Sequence, residues 1–184
     1  PGLITQDEMA HIFKVAEKNT QGHSAIASVI PQWFSLPHQI NATLPNIVND
    51  DVAYVIMRAV QFFLPGEPQV YYVGLFNGMD DRELFEKTDQ GRDVNRHHYT
   101  PEEIKQALKQ PVTQAIIALA RLRKHPAFEG EFSWRVDGPS AITLSWSNGA
   151  ESLSLSFNTE SPAFRIEASG REPITSIEQL ANYN

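Results

Sequence analysis

The sequence predicts an α/β chain. Residues 1–124 read as the C-terminal slice of a (β/α)8 barrel, helices plus its last strand, and residues 125–184 as a small antiparallel all-β domain, sandwich-like. Three observations predict this. The hydrophobic period changes from helical to two near His125-Pro126. Lysine stops at Lys124, beyond which only Arg135, Arg165 and Arg171 stand against eight acids. The run Gln69-Val70-Tyr71-Tyr72-Val73-Gly74 is β-branched and aromatic, the composition of a strand buried on both faces.

The elements follow in order. Thr5 with Glu8 forms a capping box, and Met9, Ile12, Phe13 and Ala16 continue at helical spacing. Asn49 or Asp50 caps a second helix through Val52, Val55, Ile56, Met57, Val60 and Phe63. It is apolar nearly all round, which predicts burial, and Leu64-Pro65-Gly66 stops it. The strand at 69–74 comes next, fenced by Pro68 and Gly74. One such strand cannot make a sheet, so helix, strand and helix in this order read as part of a barrel whose other strands lie upstream. Thr100-Pro101-Glu102-Glu103 repeats the capping logic with Pro at the first helical position. Pro111 opens a helix carrying Val112, Ala115, Ile116, Leu119 and Leu122. Then Phe132, Trp134 and Val136, Ile142, Leu144 and Trp146, Leu153, Leu155 and Phe157, and Phe164 and Ile166 alternate with polar residues. Asp137-Gly138-Pro139 and Asn148-Gly149 turn the chain between runs. Trp134 and Trp146 fall on the inward phase and are expected in the core.

Composition narrows the function. With 41% hydrophobic and 20% charged residues the chain is ordinary globular protein, and its net charge of -7 argues against nucleic acid. No apolar run reaches the roughly 20 residues of a membrane span, and Pro1 to Glu8 lack the pattern of a signal peptide. There is no cysteine, which suits a reducing cytoplasm. No His pair has zinc-site spacing, and neither a nucleophile elbow nor a phosphate-cradling glycine motif occurs, so neither metal nor cofactor is expected.

Two loops stand out. Asn19 to Leu44 is long for a connection and holds Trp33, Phe34, Pro37, His38 and Gln39, which favours ligand contact; the alternative is that Trp33 and Phe34 fill a gap between helices. The second follows the expected strand: Leu75 to Asp81, then Gly91-Arg92-Asp93-Val94-Asn95-Arg96-His97-His98. The C-terminal ends of barrel strands carry active sites, so these charges are candidates for function; exposed charges or an internal Arg–Asp pair are the alternative.

At these residues the chain resembles a known family. Arg58-Ala59-Val60-Gln61-Phe62-Phe63-Leu64-Pro65-Gly66, Pro68 to Gly74 and Gly91 to His97 are very similar to the last barrel region of sucrose phosphorylases, in glycoside hydrolase family 13. Pro111-Val112 and Phe128-Glu129-Gly130-Glu131-Phe132-Ser133 resemble the last barrel helix and the start of the family's C-terminal β domain. Asn19-Thr20-Gln21-Gly22 and Gln39-Ile40-Asn41 frame the long loop as the family does. The resemblance implies an enzyme that cleaves an α-glucoside with inorganic phosphate and retains the anomeric configuration through paired carboxylates. It implies that all the catalytic carboxylates lie upstream of Pro1, so no catalytic residue is assigned in this chain. It assigns Arg92 to the glucose pocket, and His38 and Gln39 to the acceptor loop. The family's Asn-Leu-Asp-Leu-Tyr-Gln is here Phe34-Ser35-Leu36-Pro37-His38-Gln39, a departure that points away from plain fructose as acceptor. Strand edges left open in such a slice are free to pair in a homodimer.

Overall fold

The computed structural model describes residues 3–26 and 39–183. Along the chain run α1 (Gln6–Asn19), α2 (His23–Ile26), α3 (Leu44–Val48), α4 (Asp51–Phe63), α5 (Tyr72–Leu75), α6 (Arg82–Thr88), α7 (Pro101–Ala107) and α8 (Pro111–Leu122). Four strands follow, β1 (Glu131–Val136), β2 (Ala141–Asn148), β3 (Glu151–Asn158) and β4 (Ala163–Ala168), and then α9 (Ile177–Ala181). Short 3-10 turns cover Gly91–Asn95 and Pro126–Glu129. The chain forms two compact units that interleave in sequence: Pro1–Asn49 with Tyr71–Glu103, and Asp50–Val70 with Ile104–Asn184.

In the first unit the capping signals act as expected. Thr5 Oγ1 accepts from the Glu8 N–H at 3.2 Å, and the Glu8 carboxylate accepts from the Thr5 N–H at 2.6 Å, so two orphan donors of α1 are satisfied reciprocally. The same exchange joins Thr100 and Glu103 ahead of α7. Polar groups finish the C-terminal end of α1. The buried Thr20 hydroxyl donates to Ala16 C=O at 2.8 Å, and Asn19 Nδ2 donates to Ile47 C=O at 2.7 Å, fastening α1 to α3. Part of the loop expected between Asn19 and Leu44 is helical, as α2.

The strand expected at 69–74 is not formed. Gln69 to Tyr71 is without helix or strand, and Tyr72–Leu75 is one helical turn, α5. The cause is physical. A β-branched and aromatic run becomes a strand only where a neighbour supplies its ladder, and among the described residues no strand pairs with this one. Tyr71 is 53% exposed, whereas Val73 and Gly74 are buried.

In the second unit Asp50 is the N-cap of α4, its carboxylate accepting from the Ala53 N–H at 2.7 Å, while Asn49 closes α3 in the left-handed region. Tyr54, Val55, Ala59 and Phe63 of α4 are buried, as are Val112, Ala115, Ile116, Leu119 and Leu122 of α8. Each large apolar side chain so buried stabilises by about 1.5–3 kcal/mol. Met57, expected inside, is 44% exposed, because α4 has one face that neither α8 nor the sheet covers.

The strands form an antiparallel meander, β1-β2-β3-β4, in the register the alternation predicts. Trp134, Leu144, Leu155 and Ile166 stand in one cross-strand row. Asn148 pairs with Glu151, so the two turn residues are Gly149 and Ala150: the hairpin forms where expected, but Asn148 ends β2 and Gly149, at φ 60°, takes the first central position, as type II′ turns require of glycine. Gly130 lies so close to the Ser147 carbonyl that a methyl group there would overlap it. The expected sandwich is a single sheet instead: where a second sheet was expected, α4 packs on β2, β3 and β4. That cover explains the two tryptophans. Trp146 on β2 is buried and donates from Nε1 to Phe63 C=O at 2.6 Å. Trp134 has the inward phase but sits on edge strand β1, outside the reach of α4, and is 66% exposed rather than core.

The tail closes the unit. Ile174 bridges Ile166, and Ser176 caps α9, which packs on α8 with Leu180 fully buried. No helix among the described residues is long and apolar enough to cross a membrane.

Candidate functional site

A connected group of polar side chains lies in the first unit, between α5 and the start of α7. After α5, Asn77 takes φ 52° and Gly78 turns back, its N–H donating to Val73 C=O at 2.8 Å. A methyl group on Gly78 would collide with the Tyr99 hydroxyl, so glycine is what lets Tyr99 lie across this turn. Its ring packs edge-on against His97 at 4.6 Å and against Phe76 at 5.0 Å.

Asp81 is the hub. Its carboxylate accepts from the Leu84 N–H at 2.8 Å as N-cap of α6, and its own N–H donates to Val94 C=O at 2.7 Å. Its second oxygen lies 2.6 Å from His97 Nδ1, and His97 Nε2 lies 3.2 Å from Glu103 Oε1. The Tyr72 hydroxyl donates to His97 C=O at 2.9 Å. One imidazole therefore bridges two carboxylates from different helices. The hydrogen bond to Asp81 raises the His97 pKa above the ordinary imidazole value; partial burial works against this and Glu103 adds to it. Burial opposes ionisation of Asp81, but the Leu84 N–H and the His97 ring outweigh it and hold its carboxyl below the usual range.

Asp80 behaves in the opposite way. Burial pushes its carboxyl above the usual range, although one oxygen accepts from the Thr43 N–H at 2.6 Å. Its other oxygen is buried without a partner among the described residues. Arg82, two residues on, donates to Thr20 C=O at 3.2 Å and so ties α6 to the end of α1. These groups rim an open cavity of ≈ 820 Å³ lined by Met79, Asp80, Asp81, Arg82, His97, Tyr99 and Glu103 among others. The lining offers donors and acceptors of both signs, the complement of a hydroxyl-rich ligand.

Of the residues expected to bind, Arg92 stands exposed on the 3-10 turn Gly91–Asn95. No ion pair among the described residues engages it. The internal Arg–Asp pair weighed as an alternative does exist, but it joins Arg96 to Asp93 at 3.6 Å and leaves Arg92 out. Gln39 is half-buried and donates to Asn41 Oδ1 at 2.9 Å. No hydrogen bond among the described residues joins it to Arg92. His38 lies outside the described residues, as do Trp33 and Phe34. Sequence reasoning missed Tyr99 and Glu103 as partners of His97; the capping box marked Glu103 only as a helix start. Among the described residues no cluster of three or more His, Cys, Asp or Glu is arranged to hold a metal ion.

Residues 127–179 match the family model described as "Sucrose phosphorylase, C-terminal". The chain is 39% identical over 158 residues to the sucrose phosphorylase of Bifidobacterium adolescentis, a match covering 85% of this chain and 31% of that protein. The chain belongs to the sucrose phosphorylase family. A glucosylglycerol phosphorylase of Marinobacter adhaerens is 44% identical over 104 residues, covering 56% of this chain and 22% of that protein. The fold agrees: a crystal structure of sucrose 6F-phosphate phosphorylase from Thermoanaerobacter thermosaccharolyticum superposes with a TM-score of 0.85 at 32% identity, over 95% of this chain and 37% of that one. The chain thus spans about a third of the length of the sucrose phosphorylase it matches, and both units described above have counterparts in the family.

Proposed function

We propose that this chain is the C-terminal part of a retaining α-glucoside phosphorylase of glycoside hydrolase family 13, and that it supplies substrate-binding residues while the catalytic carboxylates lie upstream. What carries the reading is likeness at two levels: the family model over 127–179, and a fold match over 95% of the chain to a phosphorylase. In this reading residues 1–124 complete a (β/α)8 barrel, and the segment 69–74 becomes its last strand once neighbouring strands flank it. The start of the family model at residue 127 supports a boundary near 124/125. Glucose 1-phosphate is the product. The absence of cysteine fits a cytoplasmic enzyme, and self-association as a homodimer belongs to the same reading.

Two roles follow. Arg92 binds the glucose moiety, which its exposed guanidinium, engaged by no ion pair among the described residues, supports. His38 and Gln39 belong to the loop that receives the acceptor. Leu36 stands where plain sucrose phosphorylases resemble an aspartate, so a carboxylate that would hold fructose and repel an anion is missing. His38 brings an imidazole that donates to, and when protonated pairs with, a phosphate group. The acceptor is therefore a phosphorylated ketose, and sucrose 6'-phosphate the preferred donor, in keeping with the fold match to a sucrose 6F-phosphate phosphorylase. A glycerol-type acceptor is the second reading, favoured by the 44% identity to a glucosylglycerol phosphorylase.

The test is the ratio of kcat/KM for sucrose 6'-phosphate over sucrose in the complete enzyme, repeated with His38→Tyr. The expected ratio exceeds one and falls about tenfold or more in the variant, the worth of one charge-assisted hydrogen bond. A ratio below one that His38→Tyr leaves unchanged excludes the acceptor assignment.

A further inference from the structure

The Asp81–His97–Glu103 bridge has no counterpart in the roles assigned so far, and its position beside Arg92 gives it one. The 3-10 turn that carries Arg92 is fastened at its C-terminal end by Asp81. Before the turn's end the Asp81 N–H holds Val94 C=O at 2.7 Å, and beyond it the Asp81 carboxylate holds His97 at 2.6 Å. Val94 itself is 1% exposed and anchors the turn in the core of the unit. Glu103 reaches His97 from α7 and is itself held by the Thr100 N–H at 2.7 Å and the Thr100 hydroxyl at 2.8 Å. The Arg92 side chain makes no bond of its own among the described residues. The backbone of the turn therefore sets the point from which it leaves, and this clasp holds that backbone.

We propose that Asp81, His97 and Glu103 act as a positioning clasp that fixes the turn presenting Arg92 to the glucose moiety, an inference that rests on the assignment of Arg92 to glucose recognition. The clasp is complete only when both ring nitrogens of His97 carry protons, because both then donate, one to each carboxylate. A neutral imidazole donates from one nitrogen and leaves the other facing a carboxylate it cannot bind.

This makes the geometry sensitive to pH, with a definite sign. His97 is held above the ordinary imidazole value by its carboxylate partners. The clasp is therefore complete below about 6.5, the usual histidine pKa, and is lost as pH rises through the higher value in the folded protein. Asp81 faces Nδ1 from the start of α6, with Arg82 and Lys87 lining the same cavity. Glu103 faces Nε2 from α7, and the Tyr99 ring lies against the imidazole. From α5, Tyr72 binds only the His97 carbonyl. Its phenol is pushed up to about 12, chiefly by desolvation, so it stays neutral throughout.

The experiment uses the complete enzyme and the variants Arg92→Ala, Asp81→Asn, His97→Gln and Glu103→Gln, with kcat and KM measured across pH for sucrose and sucrose 6'-phosphate. His97→Gln is expected to lower kcat/KM about tenfold for both donors alike, as an imperfectly placed charge-assisted contact would. It is also expected to remove the part of the alkaline decline that follows His97 titration, which a purely structural role would not do. Glu103→Gln, on the exposed side of the clasp, keeps an acceptor for Thr100 and is expected to fold and to shift that decline to lower pH. Folded His97→Gln and Glu103→Gln variants with the parental pH profile, and with kcat/KM within about twofold of the parent, overturn the positioning role. If Arg92→Ala itself keeps parental kcat/KM, the assignment of Arg92 fails, and this inference with it. If Arg92→Ala loses kcat/KM about tenfold or more while Asp81→Asn and His97→Gln match the parent, the positioning role alone fails.

Discussion

Arg92→Ala in the complete enzyme is expected to lower kcat/KM by the same factor for every glucosyl donor, whatever the acceptor. Arg92 is exposed on the turn Gly91–Asn95, and no carboxylate among the described residues neutralises it. A hydrogen bond from a charged donor to a hydroxyl contributes about 1.5–3 kcal/mol, which is roughly 10- to 150-fold in rate if it is made fully in the transition state. The glucose half is common to all donors, so the loss must be uniform. Arg92→Lys should recover little of it, because an ammonium cannot reproduce the guanidinium fork. Measuring kcat/KM for sucrose, sucrose 6'-phosphate and glucosylglycerol in both variants checks this. A loss confined to one acceptor would move Arg92 out of the glucose pocket.

Trp146→Ala is expected to be the most damaging single change to the second unit. Trp146 is 7% exposed, with Phe128 at 5.5 Å, Phe132 at 5.1 Å and the Arg123 guanidinium 5.4 Å from its ring centre. Its indole N–H satisfies the last carbonyl of α4, that of Phe63, at 2.6 Å. Removing the ring leaves a cavity at the seam of α4 and the sheet and orphans that carbonyl, at about 3–5 kcal/mol for the truncation and a further 1–3 kcal/mol for the buried acceptor. Arg123, which lies over Phe128 at 4.2 Å and donates to Gly66 C=O at 3.0 Å, would lose part of its packing too. Trp134→Ala is the control. At 66% exposure it should change the midpoint of chemical unfolding far less. Equal losses from the two tryptophans would contradict the packing described.

Much of the second unit was legible in the sequence, because its logic is local. Period two, Asn148-Gly149 and the inward phase of Leu144, Leu155 and Ile166 are enough to set the meander and its register. The phase of Trp134 was legible as well. Its exposure was not, since edge position depends on where α4 ends its cover, which no local pattern records. The segment 69–74 misled for a related reason: Tyr71, Tyr72 and Val73 have the composition of a strand, but a strand is made by its neighbours. The clasp was the least visible feature. Asp81, His97 and Glu103 are 16 and 6 residues apart and belong to different elements, so no single helix or strand pattern links them and only the fold brings them together. Arg92 and the acceptor loop were marked by resemblance, not by pattern.

The most direct test of the central claim, that this chain binds glucose while the reacting carboxylates lie elsewhere in the same enzyme, is phosphorus NMR of the reaction mixture. Phosphate and sucrose 6'-phosphate are incubated with the complete protein and, separately, with this chain alone. The account predicts the resonance of α-glucose 1-phosphate with the complete protein and none from the chain by itself, because catalytic groups typically lower barriers by ~8–23 kcal/mol and none is assigned here. Glucose 1-phosphate formed by the isolated chain above a contaminant control, or none formed by the complete protein from any α-glucoside, would contradict it.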